Sequence, residues 1–203
     1  MKLKALWYCT KNKPYLQVNK CVLPTEYDRY ILDKKQHYSA FGEPLEKLNG
    51  KIVAESDFEV EEITKVRNYY DMKPEAFDNL YYTRTLDCEQ LSIFSCMTTE
   101  QFDNYLKDKN GYAIHIKNLV ADGWRDLEEF FTCGRDNVFR HVKRPPQNMM
   151  KVWAPAYPSY RYSYPSIKDE YVLISIRPEW ACKILNGEKT IEVRKKVLKE
   201  MKE

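Results

Sequence analysis

The residues best suited to chemistry by type and spacing lie close together near the C-terminus. Lys189, Glu192 and Arg194 place an ammonium, a carboxylate and a guanidinium in one short stretch. Arginine offers a planar fork to a phosphate or a base edge, lysine supplies a mobile point charge, and glutamate orients either group or accepts a proton. Such a trio suits nucleotide binding or acid–base chemistry. The alternative is an exposed strand whose charges only form cross-strand ion pairs.

A strand, a helix and a second strand are predicted to hold this trio. Tyr171 to Ile176 is an apolar run typical of a buried strand, and Pro178 suits the first turn of a helix that an Asn-Gly pair ends. Apolar and polar residues then alternate from Thr190 to Arg194. The polar residues of that strand, Glu192 among them, should therefore project from one face.

The chain upstream is predicted to consist mainly of strands. Apolar or alternating runs bounded by Gly, Pro and Asn predict these strands, and a Thr-Thr-Glu sequence predicts the capped start of a helix. The predicted strands are Lys4–Cys9, Gly50–Val60, Tyr112–Ile116 and Met149–Trp153, the predicted helix runs through Thr98–Leu106, and Leu127–Phe131 is a candidate helical turn.

Composition limits the class of protein. The 203 residues are ample for one domain and marginal for two. The six cysteines include no closely spaced pair and no Cys/His cluster, and no secretory leader is present, so we expect reduced thiols, with Cys182 packing in a helix, and a cytoplasmic protein without a metal site or cofactor. Because no apolar run reaches the length of a bilayer span, we expect no membrane partner.

The positive charge is concentrated at the C-terminal end. Residues 171–203 hold eight Lys and Arg against five Glu, which accounts for the whole net charge of +3. A basic segment of this kind suits an anionic ligand, although a lysine-rich tail is also typical of a merely solvated surface.

The segment Ser175 to Lys195, SIRPEWACKILNGEKTIEVRK, resembles the opening signature of ASCH-domain proteins, in which S-I-(K/R)-P, a short helix, G-E-K and T-x-E-x-R-K follow in that order. Further segments resemble the same family. They are LWYCTKNKPYL at 6–16, NGKIVAESDFEVEEI at 49–63, GYAIHIKNL at 111–119 and RPPQNMMKVW at 144–153.

The resemblance implies an α+β fold, a PUA-like small mixed β-barrel with short flanking helices. The family's opening segment lies last in this chain, which indicates a circular permutation. Residues 1–153 would then form the main part of the barrel with an insertion around 64–98, residues 154–170 a Tyr/Pro/Ser-rich linker, and residues 171–203 the completing segment. Alternatively, the last segment is the start of a second domain that pairs with another molecule, so the protein would be a monomer or a swapped dimer.

The resemblance also implies a cleft that binds RNA, a nucleotide or a modified nucleoside; some similar proteins hydrolyse acetylated cytidine or cut RNA. Lys189 and Arg194 match the family's basic cleft positions. Glu192 stands where the amidohydrolase-like members place a threonine nucleophile, and a carboxylate suits the role of a base acting through water better than direct attack on an amide. We therefore expect binding; in an amidohydrolase or ribonuclease, Lys189 and Glu192 would be the acid–base pair.

Other residues are candidates for the same ligand site. Ser175 and Arg177 belong to the family-like motif, and Thr10 with Lys11 follows the end of the first strand, where a solvated turn explains them equally well. His115 lies within a predicted strand and is interpreted as a structural histidine rather than a catalytic base. A third hypothesis, a protein-interaction or inhibitor module that reuses the barrel, is open.

Overall fold

The computed structural model describes residues 3–10, 50–67, 79–107, 109–155 and 167–202. These residues form a mixed α+β fold made mostly of strands, as predicted, with three α-helices among the described elements. In chain order the elements are β1 (Lys4–Cys9), β2 (Lys51–Arg67), β3 (Asn79–Tyr82), α1 (Cys88–Ser95), α2 (Thr99–Leu106), β4 (Gly111–Asp126), β5 (Phe131–Cys133), β6 (Phe139–His141), β7 (Met149–Pro155), β8 (Ile167–Ile176), α3 (Pro178–Leu185) and β9 (Ile191–Arg194), with 3-10 turns at Leu127–Glu129 and Lys199–Met201.

Several predicted elements are confirmed with small differences in length. Strand β1 and helices α2 and α3 begin and end within a residue of the predicted positions. Strands β2 and β4 are longer than predicted, at 17 and 16 residues. The predicted helical turn at Leu127–Phe131 is a short 3-10 turn that gives way to β5.

The described chain divides into two compact units. Unit one comprises Met1–Asp57 and Asn118–Asn186, and unit two comprises Phe58–Lys117 and Gly187–Glu203. Strands β2 and β4 contribute residues to both units. The domain boundaries predicted from sequence, the 64–98 insertion and the 154–170 linker, stay predictions; residues 68–78 and 156–166 lie outside the described residues.

Unit one is a sheet with strand order β6-β5-β7-β8-β1-β2. Strand β1 runs parallel to β8, with Tyr8 opposite Ser175, and antiparallel to β2. Trp7 is fully buried, and its indole Nε1 donates a hydrogen bond of 2.9 Å to Oγ of Ser56. The core of this unit is formed by Leu6, Tyr8, Ile52, Leu127, Phe130, Val142, Val152, Ala154, Tyr171 and Leu173.

Unit two contains two antiparallel strand pairs, β2 with β3 and β4 with β9, and the helices α1 and α2. Each helix starts with a capping box, in which the cap side chain and a glutamine three residues later bond each other's backbone. The core of this unit is formed by Ile63, Tyr81, Leu91, Phe102, Leu106, Ala113, Ile191 and Val193.

The structure bears on two predictions from the sequence, a closed β-barrel and reduced cysteine thiols. Across the described strands the sheet is not closed into a barrel, in contrast to the predicted β-barrel. Cys9, Cys88, Cys96 and Cys133 are free thiols, but Cys182 is disulfide-bonded, so the prediction of reduced thiols is wrong for that residue. Sequence spacing alone does not identify which cysteines form a disulfide. Among the described helices, none combines the length and apolar character needed to cross a bilayer.

Candidate functional site

The structure brings Lys189, Glu192 and Arg194 together in unit two. Nζ of Lys189 lies 3.4 Å from Oε2 of Glu192, and Nε of Arg194 lies 2.9 Å from Oε1 of the same carboxylate. Glu192 therefore holds one cation on each of its oxygens. We refer to these three residues as the Lys–Glu–Arg trio.

The pairing of β9 with β4 positions the trio. Ile191 and Val193 enter the core of unit two, so the intervening Glu192 projects from the opposite face of the strand. Tyr112 lies opposite Arg194 in the register of the two strands and shares its face. The alternation read from the sequence is thus confirmed.

Burial distinguishes the trio from an ordinary surface ion pair. The side chains of Lys189, Glu192 and Arg194 are 2%, 9% and 11% exposed. The alternative of an exposed strand laced with ion pairs is therefore wrong. Because charged groups lose hydration when they are buried, such a cluster is stable only if its members pair with one another and with backbone groups.

Helix α1 supplies the backbone partner. Nζ of Lys189 donates a hydrogen bond of 2.5 Å to the carbonyl oxygen of Ser95, the last residue of α1. The chain leaves the helix through Cys96 in a left-handed conformation, and N–H of Thr190 donates to the carbonyl of Phe94 at 3.0 Å. A lysine at this end of a helix satisfies a free carbonyl and complements the negative end of the helix dipole.

The protonation of Lys189 reflects this environment. Burial lowers the pKa of Lys189 below its ordinary value, and the carboxylate of Glu192 acts in the opposite direction. A buried lysine beside a carboxylate is a frequent feature of functional sites, and it also occurs in structural ion-pair networks. The trio is chemically suited to orient a polar or anionic group with fixed donors.

The other sequence-predicted residues belong to unit one. Oγ of Ser175 donates to the carbonyl of Pro146 at 2.7 Å, so its hydroxyl holds the proline loop beside β8. Thr10 donates its N–H to the carbonyl of Ile176 at 2.8 Å. Arg177 is exposed, with a guanidinium nitrogen 3.8 Å from the carboxylate of Glu179. Lys11 lies outside the described residues.

Sequence reasoning missed a second polar cluster in unit two, centred on Glu61. Oε2 of Glu61 lies 3.0 Å from Nε2 of His115 and accepts a hydrogen bond of 2.8 Å from Oγ1 of Thr85. His115 and Glu61 are each about one-fifth exposed, at 20% and 18%. His115 thus has a hydrogen-bonding partner, which agrees with its interpretation as a structural histidine.

The pKa of Glu61 predicts a contribution to acid stability. Burial alone would raise this pKa, but hydrogen bonds from Thr83, Thr85 and His115 outweigh it and hold the pKa below its ordinary value of 4.5. A carboxyl with a lowered pKa in the folded chain stabilises the fold above its unfolded-state pKa, and that contribution is lost as the pH falls through the folded-state pKa. Glu61 should therefore stop stabilising the fold only below pH 4.5.

We accordingly expect Glu61→Gln, which keeps the shape and an acceptor but removes the charge, to flatten the fall in stability at acidic pH. The measurement is urea unfolding between about pH 7 and pH 3, where the slope reports the difference in bound protons. Glu128→Gln, at an exposed glutamate, is the control and should follow the parent. Equal acid slopes for the parent and Glu61→Gln would contradict this account.

Within the described ranges, no group of three or more His, Cys, Asp or Glu side chains is arranged to hold a metal ion. Comparison with family models, with curated proteins and with solved structures found no match to this chain. The structure itself shows an α+β protein with a buried Lys–Glu–Arg trio in one of its two units.

Proposed function

We propose that this chain is an ASCH-like RNA- or nucleotide-binding protein whose ligand site is the Lys–Glu–Arg trio. The observation that carries the proposal is that both cations contact the two oxygens of one buried carboxylate, Glu192. This contact orients the Arg194 guanidinium before a ligand arrives. Preorganised donors bind with a smaller loss of side-chain freedom, and the fork of arginine matches a phosphate or the edge of a base.

The finer fold assignment is part of this proposal. We assign the chain to the PUA-like class with a permuted order, in which the segment after residue 170 completes the sheet begun by residues 1–153. The pairings of β8 with β1 in unit one and of β9 with β4 in unit two support it, because each joins the C-terminal segment to an upstream strand of the same chain.

Burial of the trio favours a small polar group as the ligand at this point. Lys189 is held against Ser95 and Glu192 and is 2% exposed, so Arg194 is the member of the trio with the most accessible side chain. A nucleotide base edge or a single phosphate would meet the Arg194 guanidinium first. Lys189 would then act mainly through its charge and through its hold on Glu192.

The test is equilibrium binding of the four nucleoside 5′-monophosphates and of N4-acetylcytidine. Arg194→Met keeps the length of the side chain and removes the donors, so we expect roughly ten- to hundredfold weaker binding, the usual loss for one charged hydrogen-bonding group. Arg194→Lys keeps the charge without the fork and should lose an intermediate amount.

The matched control is Arg140→Met. Arg140 also pairs with a carboxylate, Asp136, at 2.5 Å, but its side chain is 56% exposed and belongs to unit one. Parent-like binding by Arg194→Met, or an equal loss in Arg140→Met, would overturn the assignment. Circular dichroism of each variant establishes that the fold is retained.

One observation favours a hydrolase as the second candidate. The pKa of Lys189 is lowered by burial, and its ammonium lies 3.4 Å from Glu192, as an acid–base pair would require. An amidohydrolase would release acetate from N4-acetylcytidine in the same binding reactions, and Glu192→Gln would stop that release. Binding of N4-acetylcytidine without release of acetate would exclude the hydrolase and support the binding protein.

A further inference from the structure

Unit one ends in an exposed strand that takes no part in the Lys–Glu–Arg trio. Strand β6 (Phe139–His141) is the terminal strand of the sheet, and β5 is its only strand partner among the described residues. All three residues of β6 are exposed. A strand with one unpaired side offers its backbone N–H and C=O groups to another extended chain. We call residues 135–144, which contain this strand, the β6 edge.

The hydrogen bonds of the β5–β6 hairpin show which backbone groups of β6 face outward. N–H of Val142, the residue after β6, donates to the carbonyl of Phe130, the residue before β5, at 2.9 Å. In an antiparallel pair, every second residue of a strand directs its N–H and C=O at the neighbouring strand. The alternate residues, Phe139 and His141, therefore direct both backbone groups away from β5.

The side chains of the same two residues form an aromatic face. The ring of Phe139 meets that of Trp153 edge-on with centroids 5.3 Å apart, and the ring of His141 lies 4.3 Å from that of Phe131. Because successive residues of a strand point to opposite faces of the sheet, these rings lie on the face opposite the core residue Val142. Phe139 is nevertheless 40% exposed. A strand added beside β6 would cover part of this apolar ring.

The charge of the β6 edge indicates the chemistry of a partner. Its ten residues include four cationic side chains and one acidic side chain. They are Arg135, Arg140, Lys143, Arg144 and Asp136, and all are exposed. Arg140 pairs with Asp136 at 2.5 Å, so three cations remain in excess. The β6 edge is therefore complementary to a negatively charged chain.

We propose that the β6 edge binds an acidic, extended segment of another protein, which adds a strand to the sheet of unit one. Main-chain bonds to Phe139 and His141 supply affinity, and side chains at alternate positions of the partner supply specificity. Apolar side chains of the partner pack on Phe139. Its acidic side chains face Lys143 and Arg144. This inference concerns unit one and does not depend on the trio as a ligand site.

Two other occupants fit the β6 edge less well. A second copy of this chain carries the same cations, so pairing two β6 edges would bring like charges together. A nucleic acid would match the cations, but it has no peptide backbone to continue the ladder that Phe139 and His141 offer. An acidic peptide satisfies the charge, the aromatic face and the outward backbone groups together.

The first experiment selects ligands for the whole protein from displayed random peptides about six residues long, the usual length of a strand. We expect the bound peptides to be rich in Asp and Glu, with apolar side chains at alternating positions. Methylation of single amide nitrogens in the tightest peptide should weaken binding roughly tenfold or more at every second position and little at the others. This alternation distinguishes an added strand from a purely electrostatic complex.

Variants of the protein test the same contacts. Lys143→Glu/Arg144→Glu should weaken binding of the selected peptide roughly ten- to hundredfold at low salt, and much less at about 1 M salt, where the charges are screened. Phe139→Thr keeps a residue suited to strands and removes the ring, so we expect roughly tenfold weaker binding. The matched control, Lys107→Glu/Lys109→Glu, reverses two exposed charges in unit two and should bind as the parent does.

A selection that returns no acidic peptides, methylation effects that do not alternate, or an equal loss in the two charge-reversal variants would overturn the inference. Binding of oligouridylate that Lys143→Glu/Arg144→Glu abolishes, with no peptide bound, would also overturn it and identify a nucleic-acid surface. A dimer in sedimentation that Phe139→Thr dissociates, again with no peptide bound, would identify a second copy as the occupant. Circular dichroism of each variant establishes that the fold is retained.

Discussion

Replacing Glu192 with alanine should lower the free energy of unfolding by about 3–5 kcal/mol, the usual cost of breaking a buried ion pair from one side. The reason is the position of its carboxylate between Lys189 and Arg194, whose side chains are 2% and 11% exposed. Without the carboxylate, two cations of the same sign would remain in a largely dry environment. Each would need water, and the strand carrying them would have to open to admit it.

Urea unfolding of the parent and of Glu192→Ala measures this loss, and Glu170→Ala is the matched control. Glu170 also contacts two groups, Nζ of Lys151 at 2.9 Å and Nε1 of Trp153 at 3.2 Å, but its side chain is 52% exposed. An exposed pair contributes about 0–1 kcal/mol, so the control should change little. Similar small losses in both variants would show that the trio is solvated and would contradict the burial on which its preorganisation rests.

The second large effect is expected at Phe102, in the core of unit two. Its side chain is 1% exposed and its ring stacks on Tyr81 with centroids 5.2 Å apart. Phe102→Ala should cost about 3–5 kcal/mol, because it removes buried apolar surface and leaves a cavity. The same core contains Ile191 and Val193, which flank Glu192. Loss of packing here should therefore also weaken the hold on strand β9 and on the side chains of the trio.

Phe94→Ala provides the control within the same unit. Phe94 lies in α1 and is 40% exposed, and its bond to Thr190 uses the backbone carbonyl, which the substitution keeps. Thermal unfolding should therefore show a large fall in Tm for Phe102→Ala and a small one for Phe94→Ala. Equal Tm values for the two variants would contradict the placement of Phe102 in the core of unit two.

The sequence predicted elements well where one local signal dominated. Thr98 and the proline at position 178 mark the starts of α2 and α3, and both helices are where these signals indicated. Helix α1 lies in the stretch from Thr64 to Thr98, for which the sequence predicts only an insertion or an irregular helical excursion, although Asp87 and Gln90 form a capping box of the same kind. Its apolar residues show no clear helical period: Leu91 is buried, while Ile93 is 61% exposed.

The site was only partly predictable for a related reason. Alternation along β9 placed Glu192 and Arg194 on one face, and the structure confirms it. The burial of that face could not be read from the sequence, since three charged residues in six positions are typical of an exposed strand. Ser95, the backbone partner of Lys189, lies 94 residues upstream, and only the fold brings the two together.

The trio is buried and carries fixed donors, so it should discriminate among ligand groups by geometry.

The most direct measurement of the central claim is the NMR signal of the Arg194 Nε–H group, identified by its loss in Arg194→Met. This nitrogen lies 2.9 Å from Oε1 of Glu192. Titration with the four nucleoside 5′-monophosphates should shift the signal along a saturating curve with at least one of them, because the ligand contacts the guanidinium. An Arg194 signal that stays unchanged at saturating concentrations of all four, and of oligouridylate, would contradict the account.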